Sequence, residues 1–252
     1  MQDHREFKNP PIKEAIIDIQ VSAPKLKVEH LKLVEEMEGK GFLDCKPIFS
    51  QEFKFKSENG KFVSDGDLEK ALLGFRFDDE DQGYVAQFRL NGFTFSKIGD
   101  YKGWDEFRDK AIEAWDSYRN VVGEPKFTRL AVRFINILVL PKGEGGNVDL
   151  DQYLVNSPKV PKGLPDILTN FFSKVDVRVD DPGCIVVVTQ APAQESQSSA
   201  NVPVALDIDV YRSILGEYTE REAWEFVEKL RGVKNRAFVG SITEKTMELI
   251  DQ

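Results

Sequence analysis

Apolar and polar positions along the chain switch between two periods, and the switches divide it into strands and helices. Residues 15–21, Ala15-Ile16-Ile17-Asp18-Ile19-Gln20-Val21, are rich in β-branched side chains and stop before Pro24, which predicts a strand. Val28, Leu31, Leu33, Val34 and Met37 then recur at helical spacing, with Gly39 and Gly41 as the stop. Extended segments follow over residues 48–56, 71–77 and 84–98, the last bent or divided at the turn dipeptide Asn91-Gly92. Trp104, Phe107, Ala111, Ile112, Ala114, Trp115 and Tyr118 predict a long helix that opens with Asp105 and Glu106 and closes at Gly123-Glu124-Pro125. The first half therefore reads β-α-β-β-β-α.

The second half repeats that order. Residues 127–140 predict a long strand, and the weakly helical stretches 150–155 and 165–171 take the place of the first helix. Strands are expected over 174–179, 184–190 and 204–211, the last two separated by a Gln/Ser/Ala-rich loop over 191–203. Thr219 with Glu222 three residues later is a capping box, and Ala223, Trp224, Phe226, Val227 and Leu230 continue the helix until Gly232 interrupts it. A last short helix is expected after Ser241 or Thr243. The halves share no residue-level identity, so the repeat is one of pattern.

The expected fold is α+β, with two pseudo-repeats, residues 1–125 and 126–252, forming one structural unit of curved antiparallel sheet on long helices. This arrangement is similar to the saddle of TATA-binding-protein-like folds, a likeness of topology that carries no DNA binding with it.

Charge narrows the choice of partner. The 252 residues hold 34 basic and 43 acidic side chains, a net charge of −9, divided as −5 over residues 1–126 and −4 over 127–252. Neither half is a basic module, so binding to a nucleic-acid backbone is disfavoured as the main activity. The two cysteines, Cys45 and Cys184, lie in apolar runs and read as buried small hydrophobes in a reducing compartment. The chain shows neither a signal peptide nor an apolar stretch of about 18 residues, so the expectation is a cytoplasmic protein away from membranes.

Few residues offer catalysis. His4 and His30 are the two histidines, too few for a Ser-His-Asp triad or a multi-histidine metal site, and no glycine-rich phosphate loop follows a strand. Asp207 and Asp209 stand at i and i+2 of a strand, about 7 Å apart on one face. With Asp18 or Asp176 as a third carboxylate they would suit Mg²⁺ or Mn²⁺; alternatively they face solvent or pair with basic side chains. Arg129 and Arg133 likewise share a strand face. They would hold a phosphate or carboxylate, or balance the aspartates across the sheet. Phe53 and Phe55, Phe75 and Phe77, and Phe93 and Phe95, with Lys54, Lys56, Arg76, Arg89 and Lys97 among them, read either as packing beneath helices or as a stacking platform for single strands.

Four segments together resemble a family. They are Phe7-Lys8-Asn9-Pro10-Pro11-Ile12-Lys13-Glu14-Ala15, Arg129-Leu130-Ala131-Val132-Arg133-Phe134-Ile135-Asn136, Leu206-Asp207-Ile208-Asp209 and Ser241-Ile242-Thr243-Glu244. The chain is similar to sporadically distributed, uncharacterised prokaryotic proteins of about 260 residues with an N-terminal F-x-N-P-P-I-x-E motif. The resemblance implies a prokaryotic source and carries no established activity. Where members often have a Leu-His step in the last long helix, this chain has Leu230-Arg231.

The leading expectation is a non-catalytic binding protein for a protein partner or small anionic ligand. Arg129, Arg133 and Asn136 are its candidate ligand-binding residues, it needs no cofactor, and it can dimerise along an exposed sheet edge. The alternatives are a metal-dependent phosphodiesterase or nuclease using Asp207 and Asp209 with Mg²⁺ or Mn²⁺, and a single-stranded nucleic-acid platform.

Overall fold

Strand β1 (Ile12–Ser22) buries Ala15, Ile17, Ile19 and Val21 and turns Ile16, Asp18 and Gln20 to its other face. The same alternation runs through β8 (Lys126–Pro141) and β11 (Asn201–Ser213), where Leu130, Val132 and Phe134 and then Val204, Leu206, Ile208 and Val210 point one way, and Arg129, Arg133, Asp207 and Asp209 the other. These strands lie together in the sheet. The computed structural model describes residues 7–52, 55–58, 61–64, 69–164, 168–193, 200–214 and 216–251.

Six further strands complete the sheet: β2 (Asp44–Glu52), β5 (Glu69–Asp79), β6 (Tyr84–Arg89), β7 (Gly92–Ile98), β9 (Ser173–Val179) and β10 (Cys184–Pro192). Its order is β2-β5-β6-β7-β1-β8-β11-β10-β9, with every pairing antiparallel. A small hairpin, β3 (Phe55–Glu58) and β4 (Lys61–Ser64), stands outside it. The predicted strand over 84–98 is two strands joined at Leu90-Asn91, with Arg89 paired to Gly92. Asn91 is the turn residue, and Gly92 already belongs to β7.

The long helices α2 (Trp104–Val122) and α3 (Glu220–Ser241) cover the apolar face. Phe107, Trp115 and Tyr118 of α2 meet Phe95, Phe93 and Phe88 at ring separations of 5.7, 5.6 and 5.6 Å. Each fully buried ring contributes about 1.5–3 kcal/mol. Gly123, at φ 80°, closes α2 in a conformation that costs other residues. Phe75, Phe77, Phe93 and Phe95 are thus core residues, while Phe53, Lys54 and the side chains of Phe55 and Lys56 lie outside the described ones.

Several helix expectations are corrected. The span 28–37 is a 3₁₀ turn (Val28–Leu31) and a short helix α1 (Val34–Glu38), because the intervening Lys32 and Leu33 have ψ of 69° and 54°. Burying both Leu31 and Met37 takes precedence over continuous helix. Gly232 does not break α3. A Cβ built there would meet no neighbouring atom, so it lies on the open side while Val227, Leu230 and Val233 hold the helix to the sheet. Only Leu150–Gln152 of the stretch 150–155 is helical, as a 3₁₀ turn, and residues 168–171 are not helical; residues 165–167 lie outside the described ones. The capping box at Thr219 is present, and α4 (Glu244–Leu249) begins after Thr243, whose hydroxyl accepts from the Thr246 N–H.

The N-terminal segment is stitched beneath α3. Asn9 N–H donates to the Ile250 carbonyl at 3.0 Å, Ile137 N–H to the Pro11 carbonyl at 2.8 Å, and Phe7 meets Phe238 edge-on at 5.9 Å. The two prolines fix an extended path without needing donors of their own. Among the described residues no helix is long and apolar enough to cross a membrane.

Candidate functional site

The polar face of the sheet brings Arg129, Arg133, Asp207 and Asp209 together, each with a partner. Arg133 grips Asp207 through two bonds, Nε to Oδ1 at 2.9 Å and Nη2 to Oδ2 at 2.6 Å. Arg129 donates from Nη1 to Asp18 Oδ1 at 2.9 Å and from Nη2 to Asp209 Oδ2 at 3.3 Å, while its guanidinium lies 4.6 Å from the Tyr211 ring centre. Asp18 also accepts from Arg89 and Thr94, both at 2.7 Å. Burial pushes the Asp209 carboxyl above the ordinary aspartate range, against the pull of Arg129 and Arg133.

Lys174, Asp176 and Thr189 border the shallow hollow above this array. Among the described residues, no three acidic, histidine or cysteine side chains gather in a way that could hold a metal ion. The aspartates are engaged by guanidiniums, and Asp18 reaches Asp209 through Arg129.

Asn136 belongs to the other face. Its amide, 2% exposed, donates to the carbonyls of Leu206 and Phe134 at 3.0 and 3.3 Å. There it helps line a cleft of about 320 Å³ between the N-terminal segment, the loop before α2, and α3. Phe7, Pro10, Pro11, Tyr101, Trp104, Phe134 and Phe238 supply apolar walls. Among the described residues the charged groups in its lining are Lys8, Lys102, Arg231 and Lys234, all basic.

Lys234 is the unusual member. It is 9% exposed, and its Nζ sits 3.8 Å from the Phe134 ring centre. No hydrogen bond or ion pair to the ammonium occurs among the described residues. Burial, with Arg231 adding repulsion, brings its pKa down to about 7. The Phe134 face offsets part of the desolvation cost.

Arg231 lies 5.2 Å from the Trp104 ring centre and 3.6 Å from Glu228, which accepts from Trp104 Nε1 at 2.7 Å and Arg108 Nη1 at 3.2 Å. This bracket positions the guanidinium at the cleft. Burial also keeps the Tyr101 phenol protonated well above its usual range.

Sequence reasoning reached Asn136 and noted Arg231, and it missed Lys234, Tyr101 and Trp104 as site residues. A signal was present: Lys234 falls on the apolar stripe Val227, Leu230, Lys234, Phe238 of α3, where a helix otherwise places core residues. Compared with protein-family models, curated proteins and solved structures, the chain has no match.

Proposed function

We propose that the protein is a binding protein for a small organic anion carrying a carboxylate or phosphate, held in the cleft beneath α3. The observation that carries this reading is the nine-tenths buried Lys234, without a hydrogen-bond or ion-pair partner among the described residues, in a cleft whose charged lining among those residues is all basic. A buried cation without a counter-charge is costly, and an anionic ligand removes the cost. The aromatic walls exclude water and strengthen each contact made inside. Asn136 adds its carbonyl oxygen as an acceptor.

Three of the four segments that carry the family resemblance bear on this region. Phe7, Pro10, Pro11 and Ile12 of the N-terminal motif, and Phe134 and Asn136 of the second segment, line the cleft. Leu206 of the third accepts the Asn136 amide through its carbonyl. Arg231 occupies the position where the resemblance implies histidine. This convergence is what a ligand-related role for those motifs calls for.

The strand order supports the pseudo-repeat reading. β1 and β8, the first strands of the two halves, pair antiparallel, and β7-β6-β5-β2 and β11-β10-β9 extend outward from them. Each half then places its long helix on the apolar face. We read that order, with one strand fewer in the second half, as similar to the architecture of TATA-binding-protein-like folds.

The test is calorimetric titration with a panel of small carboxylates and phosphates. A ligand of the cleft should lose at least tenfold in affinity in Arg231→Ala and in Lys234→Met, while Arg129→Ala with Arg133→Ala retains it. Binding that depends instead on Arg129 and Arg133 would move the site to the polar face.

A further inference from the structure

The lining of the cleft separates two tasks. Lys8, Lys102 and Arg231 form a cationic rim against which a carboxylate would lie, and Lys234 sits over Phe134 within apolar walls, with no acid beside it among the described residues. Among the described residues no carboxylate lines the cleft, and the charged and polar groups that line it with Lys234 are Arg231 and Asn235 on the same helix, Tyr101 and Lys102 before α2, Lys8 in the N-terminal segment and Asn136 on β8. A lysine in this setting can relieve the cost of its buried charge in two ways, by taking an anion as counter-charge or by giving up its proton. The apolar walls and the neighbouring Arg231 favour the second as well as the first, and the free amine it leaves is a nucleophile toward carbonyl carbon.

We propose that Lys234 captures a small oxo acid covalently, its amine forming an imine with the ligand's carbonyl carbon while the carboxylate rests against Arg231 and Lys102. The proposal rests on the anion-binding reading and narrows it to one substrate class. The nitrogen lone pair adds to the carbonyl carbon, the C=O pair moves to oxygen, and that oxygen gains a proton as the nitrogen loses one. The carbinolamine then expels its hydroxyl with the second nitrogen proton as one molecule of water, leaving the C=N bond. No oxidant or reductant is needed. The buried phenol of Tyr101 stays protonated and is available as a donor to the carbonyl oxygen. Asn136 offers a carbonyl acceptor for the departing water. A cleft of about 320 Å³ suits a ligand at the small end of the usual range.

The test treats the full chain separately with glyoxylate, pyruvate and 2-oxoglutarate, with cyanoborohydride added to trap any imine as a stable amine, and reads intact mass and a peptide map. Calorimetry with lactate, a carboxylate without a carbonyl, runs in parallel. The expected result is one adduct per chain on Lys234 with at least one of the three oxo acids. It should be suppressed by excess lactate, be absent in Lys234→Arg, and have a yield that rises with a midpoint near pH 7. If adducts scatter over surface lysines at the rates seen in the urea-unfolded chain while lactate still binds, the imine is overturned and the anion reading stands. If neither lactate nor any oxo acid binds, both fall. Because the adduct is mapped in the unaltered protein, the outcome does not depend on the variant folding.

Discussion

Two groups of basic side chains lie on opposite faces of the same strand and differ in what they meet. Above β8, Arg129 and Arg133 reach three aspartates at 2.6–3.3 Å. Below it, Lys234 reaches the face of Phe134 and, among the described residues, no acid. The upper array has the character of a structural lattice: its charges are mutually satisfied, and an incoming anion would have to displace a carboxylate already in place. The lower group holds charge that no described residue of the chain offsets. Residue type alone therefore does not mark a site; the absence of a built-in partner at a buried position does.

The two faces should part most widely at Lys234. Its folded pKa near 7 lies below the roughly 10.4 of an unfolded lysine, so between those values the unfolded chain carries a proton that the folded chain lacks. Stability should rise with pH through that window, and the full penalty should be present below about pH 7. Lys234→Met should stabilise the protein by about 3 to 5 kcal/mol at neutral pH and abolish this component of the rise. Urea denaturation of both proteins at several pH values checks it, read as the difference between the two curves. A variant less stable than the parent at pH 7 would mean that the ammonium is already compensated, and the contrast between the two faces would dissolve.

The opposite effect is expected above the strand. Asp18 is shared by Arg89, Arg129 and Thr94; in Asp18→Ala all three lose this acceptor, and Arg129 keeps Asp209 alone. With Asp18 and both arginines largely but not fully buried, the loss should be about 2 kcal/mol, less than for a fully buried pair. Denaturant titration checks this, and ligand binding in the cleft should be unchanged. The two substitutions thus move stability in opposite directions, although each removes one charged group.

The upper array was legible in the sequence and the lower one was not, for a physical reason. Period-two alternation fixes which face a strand residue occupies, so Arg129 with Arg133 and Asp207 with Asp209 could be assigned to shared faces from alternation alone. Register then places them opposite one another: Asp209 pairs with Arg133 in the ladder, and Asp207 with Ile135. The cleft depends on three segments distant in sequence, 7–12, 101–104 and 231–239, whose meeting is a tertiary event. The place of Lys234 on the apolar stripe of α3 marks it for burial, but what it meets there is decided only when α3 is docked. Likewise, Asn9-Pro10-Pro11 announces an extended path but not that α4 will anchor it. The failed break at Gly232 has the same origin, since burial of the opposite helix face outweighs a glycine cost of about 1 kcal/mol.

A smaller effect is expected at the cleft mouth. Glu228 lies 3.6 Å from Arg231 and also binds Arg108 and Trp104, so it partly neutralises the guanidinium offered to a ligand. Glu228→Gln keeps the acceptor for the Trp104 N–H and removes the charge. Affinity for a cleft anion should tighten about threefold, roughly 0.6 kcal/mol, by calorimetry. Weaker binding would show that Glu228 matters chiefly by holding Arg231 in place.

The smallest difference tests whether burial or geometry sets the worth of a pair on the polar face. Arg133 and Asp207 have the better geometry, two parallel hydrogen bonds, yet the arginine side chain is 44% exposed, against 23% for Arg129. Solvent screening and the ordering of an exposed side chain should hold the Arg133–Asp207 coupling to about 0.5 kcal/mol in a double-mutant cycle. The Arg129–Asp18 coupling should exceed it despite a single bond, because both partners sit deeper and share a network. If the bidentate pair proved the stronger, hydrogen-bond geometry would outrank desolvation on this sheet, and burial would no longer be enough to single out Lys234.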